Sequence, residues 1–320
     1  MLDYCYEAVF ILEEVKVDGS LKGNQFSLEP DPHDDRRAYL KYNFCMPKLS
    51  EKEAEDKAIR EGTDFLSFAL LGIYLRNGAS GFSAKFVKIQ CVNCEELMKA
   101  GQQLPMFSNV RFSTVYRFSE KTLRGVIDEL EKYSPVISRN IWTALDFWRA
   151  GLSSDDVYVR FEQIWKAFEI FYREITGRRE IDIAGVQHWL TKVLSPKNLC
   201  QLCNQYSVIG DAELAINIKI AGCKSPLDCL VKQNYSSKSG AINYSKNLED
   251  ALAKNNYREI LANSLVCLAK LRNHIFHANI FGDQERPLVF VCSSILADVL
   301  TSAFLFHINN KLGQVSSQIP

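Results

Sequence analysis

The stretch that most limits the fold of this chain is VFVCSSILADVLTSAFLF, residues 289–306, because eighteen residues this apolar must be removed from water. A run of this length is long enough either to cross a bilayer or to fill the core of a helical domain. Three serines, a threonine and Asp298 interrupt it, which is unusual for a helix surrounded by lipid. A second apolar run, FLSFALLGIYL at 65–75, is too short to cross a membrane. We therefore predict a core helix near 288–312.

The composition is that of an ordinary globular protein, with 320 residues, 47% hydrophobic content and 38 acidic side chains against 38 basic ones. This balance does not suggest a protein coated in nucleic acid, although it is compatible with a local basic cleft. Residues 1–17 lack the basic start of a signal peptide. Because ten cysteines accompany no secretory signal, we expect reduced thiols and a cytoplasmic location.

Residues 1–135 alternate between strand and helix patterns and predict a small α+β domain. Strands are expected at 4–17, after a loop within 26–47, at 81–92 and at 106–117, and helices near 51–76 and 120–133. Ser50 and Glu53 have the spacing of a capping box, and Gly78 suits a helix end. Pro135 stops the last helix. These residues contain no evident active-site constellation.

Residues 136–320 carry almost no strand signal and predict an all-α bundle. The expected helices lie at 140–152, at 154–177, in short pieces within 183–232, at 257–278 and near 288–312, with a loop at 234–245. In the second helix we predict Ser154 as the N-cap, Asp155 and Asp156 in the first turn, and Gly177 at the end.

The sequence KLRNHIFHAN places Arg272, Asn273, His274 and His277 in the last turns of the helix at 257–278. Arg272 and His277 point about 140° apart on an ideal helix, yet the long arginine stem can bring its guanidinium towards the imidazole. Histidine exchanges protons near neutral pH, and arginine grips phosphate oxygens with a planar fork. These groups suit metal-free RNA cleavage by 2′-OH attack, for which a twofold dimer would supply two Arg–His sets.

The motif LRNHIFHA resembles the Arg-polar-x3-His signature of the HEPN superfamily, an α-helical family with many metal-independent ribonucleases. Arg272, Asn273 and His277 match its three positions. The upstream segment from Ala144 to Glu174, which contains the helix pair, resembles the opening helices of the Apea-like branch of that superfamily. There Trp165, Ala167 and Glu169 match an aromatic-rich pattern. The resemblance covers about 138–312.

This resemblance implies a dimeric, cytosolic endoribonuclease that needs no cofactor and leaves a 2′,3′-cyclic phosphate and a 5′-OH. Arg272, Asn273 and His277 would be catalytic, and Glu169, Arg173 and His274 would contact substrate or support the site. The family further suggests a role in defence or stress response, with residues 1–135 as a sensor or specificity module.

Two features depart from the family pattern. Residues 178–256 form a longer insert than a minimal bundle contains. Some HEPN toxins carry a modifiable tyrosine two residues after the motif histidine, where this chain has Asn279. Two other interpretations of the motif remain open: a non-catalytic HEPN module that binds nucleotide or RNA, and a dimerising interaction scaffold.

The cysteine pairs CVNC at 91–94 and CQLC at 200–203 have spacings seen in zinc sites. Cys200, Cys203, Cys223 and Cys229 would supply four ligands, although the five-residue gap of the last pair is unusual. The two CxxC pairs would alternatively meet across domains. On a helix, the same spacing also simply places two small apolar residues on one face.

Overall fold

The chain divides into two compact units, Met1–Ser138 and Arg139–Pro320. A computed structural model describes residues 4–13, 15–17, 19–22, 25–47, 49–50, 52–62, 64, 83–92, 104–107, 116–118, 137–152, 154–206, 212–237, 240–278 and 282–316. The predicted helix at 120–133, Gly78, and the second half of the predicted helix at 51–76 lie outside the described residues.

The first unit contains a six-stranded antiparallel sheet with the strand order β3-β4-β5-β1-β6-β7. Its strands are β1 Tyr4–Glu13, β3 Leu21–Lys22, β4 Phe26–Pro30, β5 Arg37–Met46, β6 Ser83–Cys91 and β7 Leu104–Phe107. Two further short strands, β2 Val15–Val17 and β8 Tyr116–Phe118, pair in parallel. An α+β first unit is therefore confirmed.

Three strand predictions in this unit need correction. The single strand predicted at 4–17 forms two strands, β1 and β2, which belong to different sheets. Residues 26–30, predicted as loop, form β4. Pairing with β5 supplies the backbone hydrogen bonds of this strand, and five residues are too few for their apolar–polar alternation to indicate it. In the region predicted as one strand at 106–117, the described residues form the separate strands β7 and β8, and 108–115 lie outside the described residues.

One face of the sheet is covered by a helix, α1, at 52–62. The backbone of α1 lies directly against the Phe10 side chain of β1, because a Cβ on Gly62 would overlap the Phe10 ring. The predicted capping box before this helix is confirmed. The Ser50 N–H donates to Glu53 Oε2 at 2.9 Å, and the Glu53 N–H donates to Ser50 Oγ at 3.3 Å.

A disulfide joins Cys5 of β1 to Cys45 of β5, with the two Cα atoms 4.1 Å apart. The strand register places these residues directly opposite each other. Cys91 of β6 is also disulfide-bonded. The expectation of reduced thiols is therefore wrong for these three residues. Cys5 and Cys45 are distant in sequence and become neighbours only when β1 and β5 pair.

The described residues of the second unit are built from helices, which confirms the predicted all-α layout. They are α2 Arg139–Leu152, α3 Val157–Thr176, α4 Ile183–Val193, α5 Pro196–Gln205, α6 Ala212–Ile220, α7 Pro226–Lys232, α8 Tyr244–Ala253, α9 Tyr257–Ala278 and α10 Arg286–Ser316. Helix α8 was missed by the sequence analysis, because the polar loop before it conceals its N-cap, Asn243.

The boundaries of α3 follow local capping chemistry. The predicted N-cap Ser154 is wrong: Asp156 is the N-cap, and its Oδ1 accepts from the N–H groups of Tyr158 and Val159, both at 2.9 Å. Gly177 ends the helix as predicted, with a φ of 68° that suits glycine, and its N–H donates to the Arg173 carbonyl.

Helix α10 is the centre of the second unit, in agreement with the predicted core helix. Its segment Arg286–Ile308 is long and apolar enough to cross a membrane, but 78% of the most apolar window is buried inside the protein. Helices α3, α4, α6 and α7 all pack against α10. Burial by neighbouring helices therefore removes this apolar surface from water.

Helices α2 and α3 form a closely packed pair, and their backbones come very close at Gly151, near the end of α2. A Cβ at this position would lie 2.5 Å from Ile164 Cγ1 and 3.0 Å from the Arg160 carbonyl oxygen. The two backbones can approach this closely only because residue 151 has no side chain.

We predict that Gly151→Ala lowers the free energy of unfolding by about 1–3 kcal/mol, because the added methyl group forces the two helices apart. Urea unfolding followed by circular dichroism measures the change. The penalty should shrink in an Ile164→Ala background, where the clashing Cγ1 atom is gone. Equal stability of Gly151→Ala and wild type would contradict the packing described.

Candidate functional site

The polar face of the motif lies at the C-terminal end of α9. The Arg272 Nη1–H donates to Asn273 Oδ1 at 3.2 Å, and Asn273 and His274 are exposed to solvent. Leu271 and Ile275 are buried on the opposite face. Because Leu271 and Ile275 face the core, Arg272 and Asn273 are turned towards the surface.

Aromatic contacts fix the end of α9 against α3. The Phe276 ring stacks on Phe161 of α3, with centroids 6.4 Å apart and an interplanar angle of 20°. The guanidinium of Arg272 lies 6.0 Å from the centroid of the Phe276 ring. The guanidinium of Arg160, next to Phe161, lies 5.3 Å from the centroid of the Phe290 ring in α10. Each of these two arginines thus lies over an aromatic ring.

The backbone of His277 belongs to α9, but its side chain lies outside the described residues, as does Asn279. The structure therefore bears on the Arg272–Asn273 half of the predicted site. Arg272 is half-buried, hydrogen-bonded to Asn273 and in contact with an aromatic ring.

The predicted supporting residues Glu169 and Arg173 lie farther along α3. They follow Phe161 by eight and twelve residues, or about 12 and 18 Å at 1.5 Å per residue. Glu169 is half-buried and Arg173 is exposed, and no ion pair joins them within the described part of the chain. Trp165 and Ala167 are core residues, and Trp165 packs against Phe168.

The four cysteines considered for zinc separate into two pairs. Cys203 of α5 donates from Sγ to the Tyr257 carbonyl at 3.7 Å, and Cys200 hydrogen-bonds with the Tyr257 hydroxyl. Cys223 instead donates from Sγ to the Ala221 carbonyl at 3.3 Å and accepts a hydrogen bond from Cys229, beside other cysteines. Across the described ranges, no group of three or more His, Cys, Asp or Glu side chains is arranged to hold a metal ion.

A surface groove of about 490 Å³ lies at the opposite end of α9 from the motif. Its lining residues are Pro196, Leu199, Lys254, Asn255, Asn256, Tyr257 and Arg258. Tyr257 begins α9, fifteen residues before Arg272, which corresponds to about 22 Å along the helix axis. This groove and the motif are therefore separate features.

A titratable cluster in the first unit was missed by the sequence analysis. The Tyr42 hydroxyl donates to Glu61, and the Lys57 ammonium pairs with the same carboxylate. Burial and, to a lesser extent, the negative charge of Asp64 together raise the pKa of Glu61 to about 7. The i,i+4 spacing of Lys57 and Glu61 was visible in the sequence, but the approach of Tyr42 depends on how the helix packs on β5.

No family model matches this chain, and no curated protein or solved structure matches it either. The HEPN resemblance therefore depends on the motif and the helix pair alone. It stays a prediction, as do the roles it implies for Arg272, Asn273 and His277.

The raised pKa of Glu61 predicts a pH-dependent stability. The folded protein holds this proton more tightly than an unfolded chain with the ordinary pKa of 4.5, so stability should fall as the pH rises from about 4.5 to about 7, and then level off. Carbon-13 NMR of the Glu61 carboxyl measures its pKa, and urea unfolding at several pH values measures the slope. Glu61→Gln should remove that part of the slope.

Glu53→Gln is the matched control on the same helix. Hydrogen bonds from Ser50 lower the pKa of Glu53, so this group influences stability at a lower pH and in the opposite direction. A Glu61 carboxyl that titrates at or below 4.5 would contradict the prediction.

Proposed function

We propose that the second unit is a metal-independent endoribonuclease of HEPN type that acts as a cytoplasmic homodimer. The observation that supports this most directly is the Arg272–Asn273 pair at the exposed end of α9. Its rigid setting also supports the proposal, because buried Leu271 and Ile275 and the Phe276–Phe161 contact hold this end of α9 in place.

The reaction is a transesterification of the RNA backbone. The 2′-oxygen bonds to the neighbouring phosphorus and the bond from phosphorus to the 5′-oxygen breaks, which leaves a 2′,3′-cyclic phosphate and a 5′-OH. The His277 imidazole of one subunit removes the 2′-OH proton, and that of the other donates a proton to the departing oxygen. The Arg272 guanidinium grips the non-bridging oxygens as negative charge develops there.

Asn273 acquires a defined role from its contact with Arg272. Its Oδ1 accepts a hydrogen bond from the guanidinium, so the amide group can direct its Nδ2–H donors towards phosphate. His274, exposed one residue farther on, would contact substrate beside the site. Glu169 and Arg173 would contact RNA farther along α3, and the first unit would act as a sensor or specificity module in defence or stress response.

We predict that purified protein cleaves labelled RNA in the presence of EDTA, and that His277→Ala slows cleavage about 10²–10⁴-fold through loss of proton transfer. Gel analysis and mass spectrometry of the products measure the rate and identify the cyclic phosphate. His188→Ala is the matched control, since His188 is an exposed histidine on α4. Cleavage that survives His277→Ala unchanged would contradict this assignment.

Arg272→Ala, compared with Arg258→Ala at the other end of α9, separates the proposal from its alternatives. Both arginines are at least partly exposed. Loss of cleavage in Arg272→Ala alone supports the enzyme, whereas RNA binding without cleavage in wild type supports a binding module. If the protein neither binds nor cleaves RNA but is dimeric by sedimentation, the interaction scaffold is favoured.

A further inference from the structure

Four cysteines of the second unit lie in one region of its core. Cys229 lies on α7, Cys267 on α9 and Cys292 on α10, and all three are fully buried. Cys223, in the turn between α6 and α7, is partly exposed. Helix α7 packs against both α9 and α10, which brings these side chains together from separate parts of the sequence. Cys223 is therefore the point at which solvent reaches this group of thiols.

The Cys229 thiol hydrogen-bonds to Cys223, whose own thiol donates to the Ala221 carbonyl at 3.3 Å. The backbone holds both residues in place. The Cys223 N–H donates to the Ile218 carbonyl at 3.0 Å, and Gly222 makes the preceding turn with a φ of 68°. Ser225 caps α7, because its Oγ accepts from the Asp228 N–H at 3.2 Å. The two sulfur atoms are thus kept adjacent by the fold of this short segment.

The surroundings of the two thiols differ. Burial raises the pKa of Cys229, and contact with Cys223 raises it further. Burial likewise raises the pKa of Cys267 to about 12 and raises that of Cys292. Partial exposure makes Cys223 the residue that a small oxidant in solution meets first.

We propose that Cys223 and Cys229 are a redox modification site, at which a peroxide converts the dithiol into an intramolecular disulfide. The Cys223 thiolate attacks hydrogen peroxide, which forms an S–O bond, breaks the O–O bond and releases one water after protonation. The Cys229 sulfur then attacks Cys223, which forms the S–S bond, breaks the S–O bond and releases a second water that takes the Cys229 proton. Two thiols lose two electrons, and peroxide is reduced to two waters.

Lys224 lies between the two cysteines and makes the product easy to identify. Trypsin cuts after Lys219, Lys224 and Lys232, which places Cys223 in the peptide 220–224 and Cys229 in the peptide 225–232. The native full-length protein is treated with hydrogen peroxide, denatured in the presence of an alkylating agent so that every remaining thiol is blocked, and digested, and the peptides are analysed by mass spectrometry. The expected product is the two peptides joined and two hydrogens lighter than their sum, which dithiothreitol then separates.

Cys223→Ser should abolish the joined peptide, whereas Cys200→Ser, the loss of another partly exposed free thiol, should leave it unchanged. Wild-type protein decides the question even if a variant fails to fold. Oxidation of Cys223 to a sulfinic or sulfonic acid with Cys229 still alkylated would overturn the proposal, as would recovery of both residues as alkylated thiols. The result is independent of RNA cleavage.

Discussion

The burial of the apolar helix α10 is the constraint on which the second unit depends. Removing apolar surface from water contributes about 25 cal/mol per Å², and a helix of this length carries more such surface than any neighbour covers alone. Several surrounding helices therefore cover α10 together. Phe171 of α3 stacks on Phe304 with centroids 4.5 Å apart, and the Tyr206 hydroxyl donates to the Ile295 carbonyl at 3.0 Å.

The same packing determines which polar side chains of the second unit are exposed to solvent. Helix α9 is buried on all sides over residues 260–269, so its exposed polar side chains lie towards its ends, as Asn273 does beside half-buried Arg272. The aromatic rings of Phe161 and Phe276 join this end to α3. In the core, Cys267 and Cys292 fill small apolar positions on α9 and α10, and α7 brings Cys229 against them.

Much of the local structure was predictable because capping and periodicity are properties of neighbouring residues. The capping box of Ser50, the end of α3 at Gly177 and the positions of α9 and α10 are of this kind. The wrong predictions arose where two neighbouring residues were both suitable caps, or where a strand forms only through pairing with another strand. Asp156 rather than Ser154 caps α3, because both are good caps and only one has the required geometry.

The sequence by itself determined the type of most described helices, the α+β character of the first unit and the position of the Arg-Asn-x3-His motif near the end of a helix, since each depends on residues a few positions apart. Only the tertiary structure decided which distant side chains meet. Cys5 faces Cys45 through strand register, Tyr42 reaches Glu61 through helix-on-sheet packing, and Cys229 approaches Cys292 through packing of α7 on the core helix. Such contacts depend on how the elements pack, which short-range sequence patterns do not encode.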